Sequence, residues 1–360
     1  MAGLYIHIPF CKKRCLYCDF FSTTLLERQE EYVAAVVKEI RMRQNEAGEP
    51  IRTVYIGGGT PSTLKKDAIS GINQVLTSTC IAEFTIEINP GDATNEYLRF
   101  LRAEGINRLS IGIQSFQDKL LQLIGRRHNA AQAIEAVRMA QEAGFENISI
   151  DLIYALPAQT MEQWKADIET ALGLGIQHIS CYGLMYEEGT ALTSMRNNGE
   201  LTPTDEDTEN AMYDYLCERL KQAGFVHYEV SNFALPGYES KHNSSYWDGT
   251  PYIGIGAGAH SYTGSVRSWN PNNLDDYIRG IKRGDLERES ERLTEQDRYN
   301  EQIMLGLRTR RGIPASLPHN QAVVERMTQE GLLRRTEDEH IVATMKGLHV
   351  LNRIIEDLMI

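Results

Sequence analysis

The chain lacks any apolar run approaching the roughly 20 residues that span a bilayer, and it has no low-complexity tract and no repeat at solenoid periods. Its first residues, MAGLYIHIPF, lack the charged and apolar regions of a secretory signal, so a cytoplasmic protein is expected. Basic residues are in deficit, 37 Lys and Arg against 49 Asp and Glu for a formal net charge of -12. A broad nucleic-acid footprint needs the opposite balance on at least one face, so no nucleic-acid partner is expected. Cysteine is scarce too, at six in 360 residues, which excludes a disulfide scaffold. With 42% hydrophobic and 24% charged residues, the composition is that of an ordinary globular chain.

What is present is a repeated unit. Short β-rich runs at Leu4–Ile8, Thr53–Gly57, Phe84–Asn89, Leu109–Ser115, Ile148–Ala155 and His178–Met185 alternate with amphipathic stretches such as Leu25–Ala47 and Ala130–Ala143. Such alternation implies parallel strands joined by right-handed helical crossovers. Within the runs one parity is apolar, as in Ile6 and Ile8 or Ile148, Ile150 and Leu152. The other parity is polar: Tyr5 and His7; Tyr55 and Gly57; Glu87; Ser110, Gly112 and Gln114; Asp151; Ser180 and Tyr182. Successive strand residues face opposite ways, so the strands turn an apolar side to the helices and a polar side inward. A closed eight-stranded barrel fills its interior with branched apolar side chains. The expected fold class is therefore α/β, an incomplete (βα)6 barrel around a large polar ligand.

The pattern changes after residue 190. A helix over Asp205–Ala223 leads to the segment His227–Phe233, and a Gly- and aromatic-rich stretch through Trp269 resists assignment. From Arg292, helices flank a hairpin in GLLRRTEDEHIVATMKG, which reads as a winged-helix-like module. Residues 291–360 hold ten Lys and Arg against eleven Asp and Glu, so packing or a lid suits it better than DNA binding. The expected organisation is a barrel core over 1–190, a connecting region over 191–290 and the C-terminal module over 291–360.

Half of the cysteines crowd into eight residues. Cys11, Cys15 and Cys18 follow the first strand directly, at the rim where sites of βα barrels lie. Three thiolates hold three corners of a [4Fe-4S] cluster and leave one iron open. Structural zinc usually takes four ligands from two separated pairs, and a redox disulfide needs only two. Cys80, Cys181 and Cys217 stand alone and read as small buried hydrophobes.

The CxxxCxxC spacing, preceded by Tyr5, His7, Pro9 and Phe10, resembles the radical S-adenosylmethionine (SAM) family. The likeness is to the group that contains the oxygen-independent coproporphyrinogen III dehydrogenase and a related haem chaperone, and it covers nearly the whole chain. It implies a [4Fe-4S] cluster on Cys11, Cys15 and Cys18, whose open iron takes SAM for cleavage to a 5'-deoxyadenosyl radical. It also implies SAM contacts from Tyr5, from Gly58, Gly59 and Thr60 of the GGGTP turn, and from Glu87, Gln114, Arg126 and Asp151. Glu87, Gln114 and Asp151 fall on the inward parity derived independently above. His7 shares that parity, but a satisfied structural histidine is expected there.

Two departures separate the chain from the dehydrogenase: Phe20 stands where that enzyme has a further cysteine, and only ten residues precede Cys11. On the positive side, His242, Asn243, Tyr246 and Trp247 match the HNxxYW motif of the haem-chaperone branch. Imidazole is a competent haem ligand and aromatic side chains suit a flat macrocycle, so His242, Tyr246 and Trp247 are the expected haem contacts, directly or by shaping the pocket. Gly254, Gly256 and Gly258 have GxGxG spacing outside an early βαβ unit and read as close backbone packing, not dinucleotide binding. The resemblance thus implies haem delivery, with coproporphyrinogen decarboxylation as the alternative. The expected partners are haem, an acceptor haemoprotein and an electron donor, and a homodimer or a peripheral membrane contact is compatible with the sequence.

Overall fold

In a computed structural model of the protein, residues 2–76 and 80–360 are described. Six parallel strands form the centre in chain order: β1 (Ala2–Ile8), β2 (Ile51–Gly58), β3 (Glu83–Ile88), β4 (Arg108–Gln114), β5 (Ile148–Tyr154) and β6 (His178–Gly183). Each pairs in parallel with the next, and β1 and β6 do not pair, so the barrel stays open. The parity expected from sequence is the one observed. Leu4, Ile6, Ile8, Val54, Ile56, Ile86, Ile111 and Ile150 are sealed against the crossover helices, while Tyr5, Tyr55, Glu87, Gly112, Gln114 and Asp151 line an interior cavity.

The crossover helices start where local chemistry tells them to. Asn129 with Gln132, and Thr160 with Gln163, form reciprocal capping boxes at the heads of Ala130–Glu142 and Met161–Gly173. In each, the cap side chain takes the backbone N–H three residues on, and the glutamine returns to the cap N–H. The apolar faces that follow, Ala133, Ala136, Val137 and Ala140 on one helix and Trp164, Ile168 and Ala171 on the other, are buried against the sheet.

Residues 226–292 extend the same sheet at both edges. The segment His227–Phe233 falls in a hairpin of β7 (Val226–Glu229) and β8 (Asn232–Ala234), with β8 antiparallel to β6. At the opposite edge, β9 (Tyr252–Ile255) runs parallel to β1, followed by antiparallel β10 (His260–Tyr262), β11 (Val266–Trp269) and β12 (Glu289–Arg292). The glycine stretch serves close packing, as expected. A Cβ on Gly254 would lie 2.1 Å from the His260 carbonyl oxygen, and Gly256, at φ +102°, has the Tyr32 hydroxyl 2.5 Å from where its Cβ would be.

The C-terminal residues build their own small core from Tyr299, Ile303, Ile313, Met327, Leu333, Ile341 and Ile355. The expected hairpin is present as β14 (Leu333–Arg335) and β15 (His340–Ala343), joined by β13 (Ile313–Pro314) into a three-stranded sheet among helices. Cys181 and Cys217 are buried as expected, but Cys80 is exposed. It sits in the connection just before β3, and such connections run over the surface. No helix among the described residues is long and apolar enough to cross a membrane.

Candidate functional site

The interior cavity, of about 420 Å3, opens at the C-terminal ends of the parallel strands. Cys11, Cys15 and Cys18 line it from the loop after β1, together with Tyr5, Gly58, Gly59, Thr60, Glu87, Gln114, Arg126 and Asp151. Every residue expected to hold the cluster or SAM therefore meets in one space.

The cysteine loop is held from several sides. The Cys11 N–H donates to the Thr23 carbonyl at 2.9 Å, the Cys11 thiol lies 3.3 Å from the Thr60 hydroxyl, and Arg126 Nη1 donates to Cys15 Sγ at 3.4 Å. Lys12, inside the loop, donates to Asp92 at 2.7 Å, and Arg127 donates to the other oxygen of Asp92 at 2.9 Å. Desolvation would raise the Asp92 carboxyl, but Arg127 and Lys12 hold it below the usual carboxylate range. This Lys12–Asp92–Arg127 link escaped the sequence reading; Asp92 in the NPGD turn after β3 is its one visible trace. Glycine completes the rim, because a Cβ on Gly59 would stand 2.8 Å from the Pro9 carbonyl carbon.

The donor set fits an iron–sulfur cluster. Three soft thiols on one short loop border the cavity, and two guanidinium groups stand beside them to balance thiolate charge. Burial raises the Cys11 and Cys18 thiols, Cys18 to about 11, so iron would displace their protons on binding. The thiols are not drawn into a finished cage: among the described residues no three His, Cys, Asp or Glu side chains converge as a metal site.

Deeper in, the cavity suits a ligand that carries positive charge and polar groups. Glu87 accepts from the Tyr55 hydroxyl at 2.9 Å and from the Gly58 N–H at 3.0 Å, and Ser110 donates to Asp151 at 3.1 Å. Burial, with Asp151 nearby, pushes the Glu87 carboxyl up to about 8; burial also raises Asp151. Arg126 keeps a buried Nε without a partner among the described residues, a donor available to a ligand carboxylate. Gln114 closes β4 at φ +74°, a left-handed conformation uncommon outside glycine, at a register shift opposite β5. Such strain persists where surroundings enforce it.

The raised carboxyl has a measurable consequence. Between its ordinary value of 4.5 and about 8, Glu87 binds more proton in the folded than in the unfolded chain, so its contribution to folding stability falls as pH rises across that window. The melting temperature of the cofactor-free protein is expected to decline from pH 6.5 to 8, and Glu87→Gln to flatten the decline. Parallel profiles for the two proteins would show that Glu87 is ionised in the folded state.

The HNxxYW segment lies at the other end of the barrel. It forms the helix Lys241–Asp248, whose first N–H groups point at a buried carboxylate: Glu83 accepts from the Lys241 and His242 N–H groups, both at 2.9 Å. His242 is fully buried beneath the cavity floor. Its Nδ1 lies 2.9 Å from the Thr53 hydroxyl, its Nε2 2.9 Å from the Tyr246 hydroxyl, and its ring stacks on Tyr55 at 5.3 Å. Burial, with Arg108 nearby, pushes its pKa down to about 3. Both ring nitrogens are thus engaged. The motif reaches open space through other members, Asn243 in the main cavity and Tyr246 in a second one, while Trp247 is half-buried. His7 is satisfied as expected, between the Tyr5 hydroxyl at 3.0 Å and the Phe21 carbonyl at 2.9 Å.

An open parallel barrel with three thiols of CxxxCxxC spacing at its rim defines a radical SAM protein, and the Radical SAM superfamily model matches residues 5–171. The chain is 37% identical to "Heme chaperone HemW" of Lactococcus lactis, across 99% of this chain and 97% of that protein. It is 39% identical to the protein of the same name in Bacillus subtilis, across 87% and 85%. Among solved structures, coproporphyrinogen III oxidase (HemN) from Escherichia coli, described as a radical SAM enzyme, superposes with a TM-score of 0.83 at 25% identity, covering 99% of this chain and 90% of that one. The chain belongs to the HemW haem chaperone family within the radical SAM proteins.

Proposed function

We propose that this protein binds haem and delivers it to acceptor haemoproteins, with a [4Fe-4S] cluster on Cys11, Cys15 and Cys18 and SAM in the adjoining cavity. The observation that carries the reading is the match to relatives named haem chaperones over nearly the full length of both chains. Bound there, the cluster would supply an electron and an open iron to SAM. The chain's own residues do the rest: Asp92 anchors the cysteine loop through Lys12 and Arg127, Arg126 offers a fork to a carboxylate, and Glu87 and Asp151 offer acceptors to ammonium or ribose hydroxyl groups.

The structural likeness to coproporphyrinogen III oxidase keeps a second reading in view, the oxidative decarboxylation of that porphyrinogen. Phe20 speaks against it, since its side chain is 63% exposed at the cavity mouth where the dehydrogenase resemblance calls for a cysteine. A strain without any coproporphyrinogen oxidase separates the readings. Expression of this protein is expected not to restore protoporphyrin synthesis, whereas the haem-loaded protein is expected to restore the spectrum of an apo-haemoprotein. Rescue of the strain without haem transfer would establish the second reading.

A further inference from the structure

A second cavity, of about 610 Å3, lies beside the first and shares Tyr5, Asp19 and Phe20 with it. Its volume falls in the range of small-molecule and cofactor sites. The remaining wall carries four aromatic rings, Phe21 from the cysteine loop, Tyr246 from the HNxxYW helix, Tyr252 from β9 and Trp269 from β11, beside the polar Asn270 and Asn272. Aromatic walls of this kind suit a flat macrocycle, which gains affinity from burying its faces.

The cavity also holds an unengaged imidazole. Of the chain's nine histidines, His7, His128, His178, His227, His242, His340 and His349 each have a ring nitrogen within hydrogen-bond distance of a partner. His319 packs on Tyr299 in the C-terminal module, away from both cavities. His260 remains: it is exposed, lines the second cavity, and has no hydrogen-bond partner at either ring nitrogen among the described residues. Its plane is set by stacking on Trp269, 5.7 Å away at 22°, directly across the β10–β11 ladder.

On the basis of the haem-carrier reading above, we propose that haem seats in this second cavity with His260 as the protein ligand of its iron and with Trp269, Tyr252 and Phe20 as its apolar walls. The HNxxYW motif then serves the seat without ligating iron. His242 fixes the Tyr246 hydroxyl from below, and Tyr246, edge-on to Tyr252 at 4.7 Å, forms part of the wall. Partial burial, with Arg267 nearby, lowers the His260 pKa, which keeps the imidazole neutral and its lone pair free near neutral pH. The shared residues place the seat next to the cysteine loop, so haem and cluster would occupy neighbouring spaces.

The test uses the full-length, anaerobically reconstituted protein titrated with haem and followed in the Soret region. His260→Ala is expected to bind haem at least about tenfold more weakly and to shift the Soret band, because iron loses its protein ligand while the walls remain. Added imidazole is expected to return the band of this variant to its wild-type position, which a purely structural role would not allow. Trp269→Leu is expected to weaken binding while leaving the band in place. Wild-type affinity and spectrum in His260→Ala, or failure of imidazole to restore them, would overturn the seat and leave the carrier reading standing. Absence of saturable haem binding by the wild type would overturn the carrier reading and the seat with it.

Discussion

Cys15→Ala, reconstituted anaerobically with iron and sulfide, is expected to return no cluster, whereas Cys217→Ala returns about four irons and four sulfides per chain. A site with three thiolates and no fourth ligand on its loop has none to spare. Cys15 is half-buried at the cavity mouth, where its thiol accepts from Arg126 and touches little of the core, so the variant loses the cluster without unfolding. Cys217 lies in the main core, on the helix Glu206–Gln222 and away from the cavity. Iron and sulfide analysis with the reduced EPR spectrum reads the outcome. A normal cluster in Cys15→Ala, or stoichiometric zinc in the wild type, would place the metal chemistry elsewhere.

His242→Ala is expected to cost about 2–4 kcal/mol of folding stability, a large effect for one residue. The change removes two hydrogen bonds and a stacked ring at a site with no access to solvent. It also strands the Thr53 and Tyr246 hydroxyls. An imidazole held down to about 3 must take up a proton on unfolding below 6.5, so the contribution of His242 to stability falls as pH drops below that value, and the variant is expected to lose less than the wild type on this limb. Denaturant midpoints across pH measure both effects. Wild-type stability in His242→Ala, with a changed haem spectrum, would mark the residue as a ligand instead of a support for the cavity floor.

The barrel was legible in the sequence because the cue repeats. Each strand alternates apolar and polar residues over six to eight positions, and the polar parity of Glu87, Gln114 and Asp151 is the one that faces the cavity. The cysteine loop was legible because its chemistry is carried by spacing within eight residues. Contacts between distant residues were not. Lys12 and Asp92 meet across 80 positions, and only the fold brings the turn after β3 beneath the cysteine loop. The same holds for His242: residue type marks an imidazole as a possible ligand, but its partner Thr53 lies 189 positions away, and that partner decides whether the nitrogens are engaged. The strands β9 to β12 escaped because they are only three or four residues long, too short to show a period. Their existence depends on pairing at the edge of β1, a tertiary cue without a local period. His260 sits within that stretch, so nothing in its neighbourhood singled it out.

Anaerobic haem titration of the reconstituted wild-type protein, run beside a coproporphyrinogen III conversion assay, tests the central claim most directly. The expected result is saturable binding of haem with a shifted Soret band, passage of that haem to an apo-haemoprotein, and no protoporphyrinogen formed when SAM and reductant are supplied. Conversion of coproporphyrinogen with no saturable haem binding would contradict it.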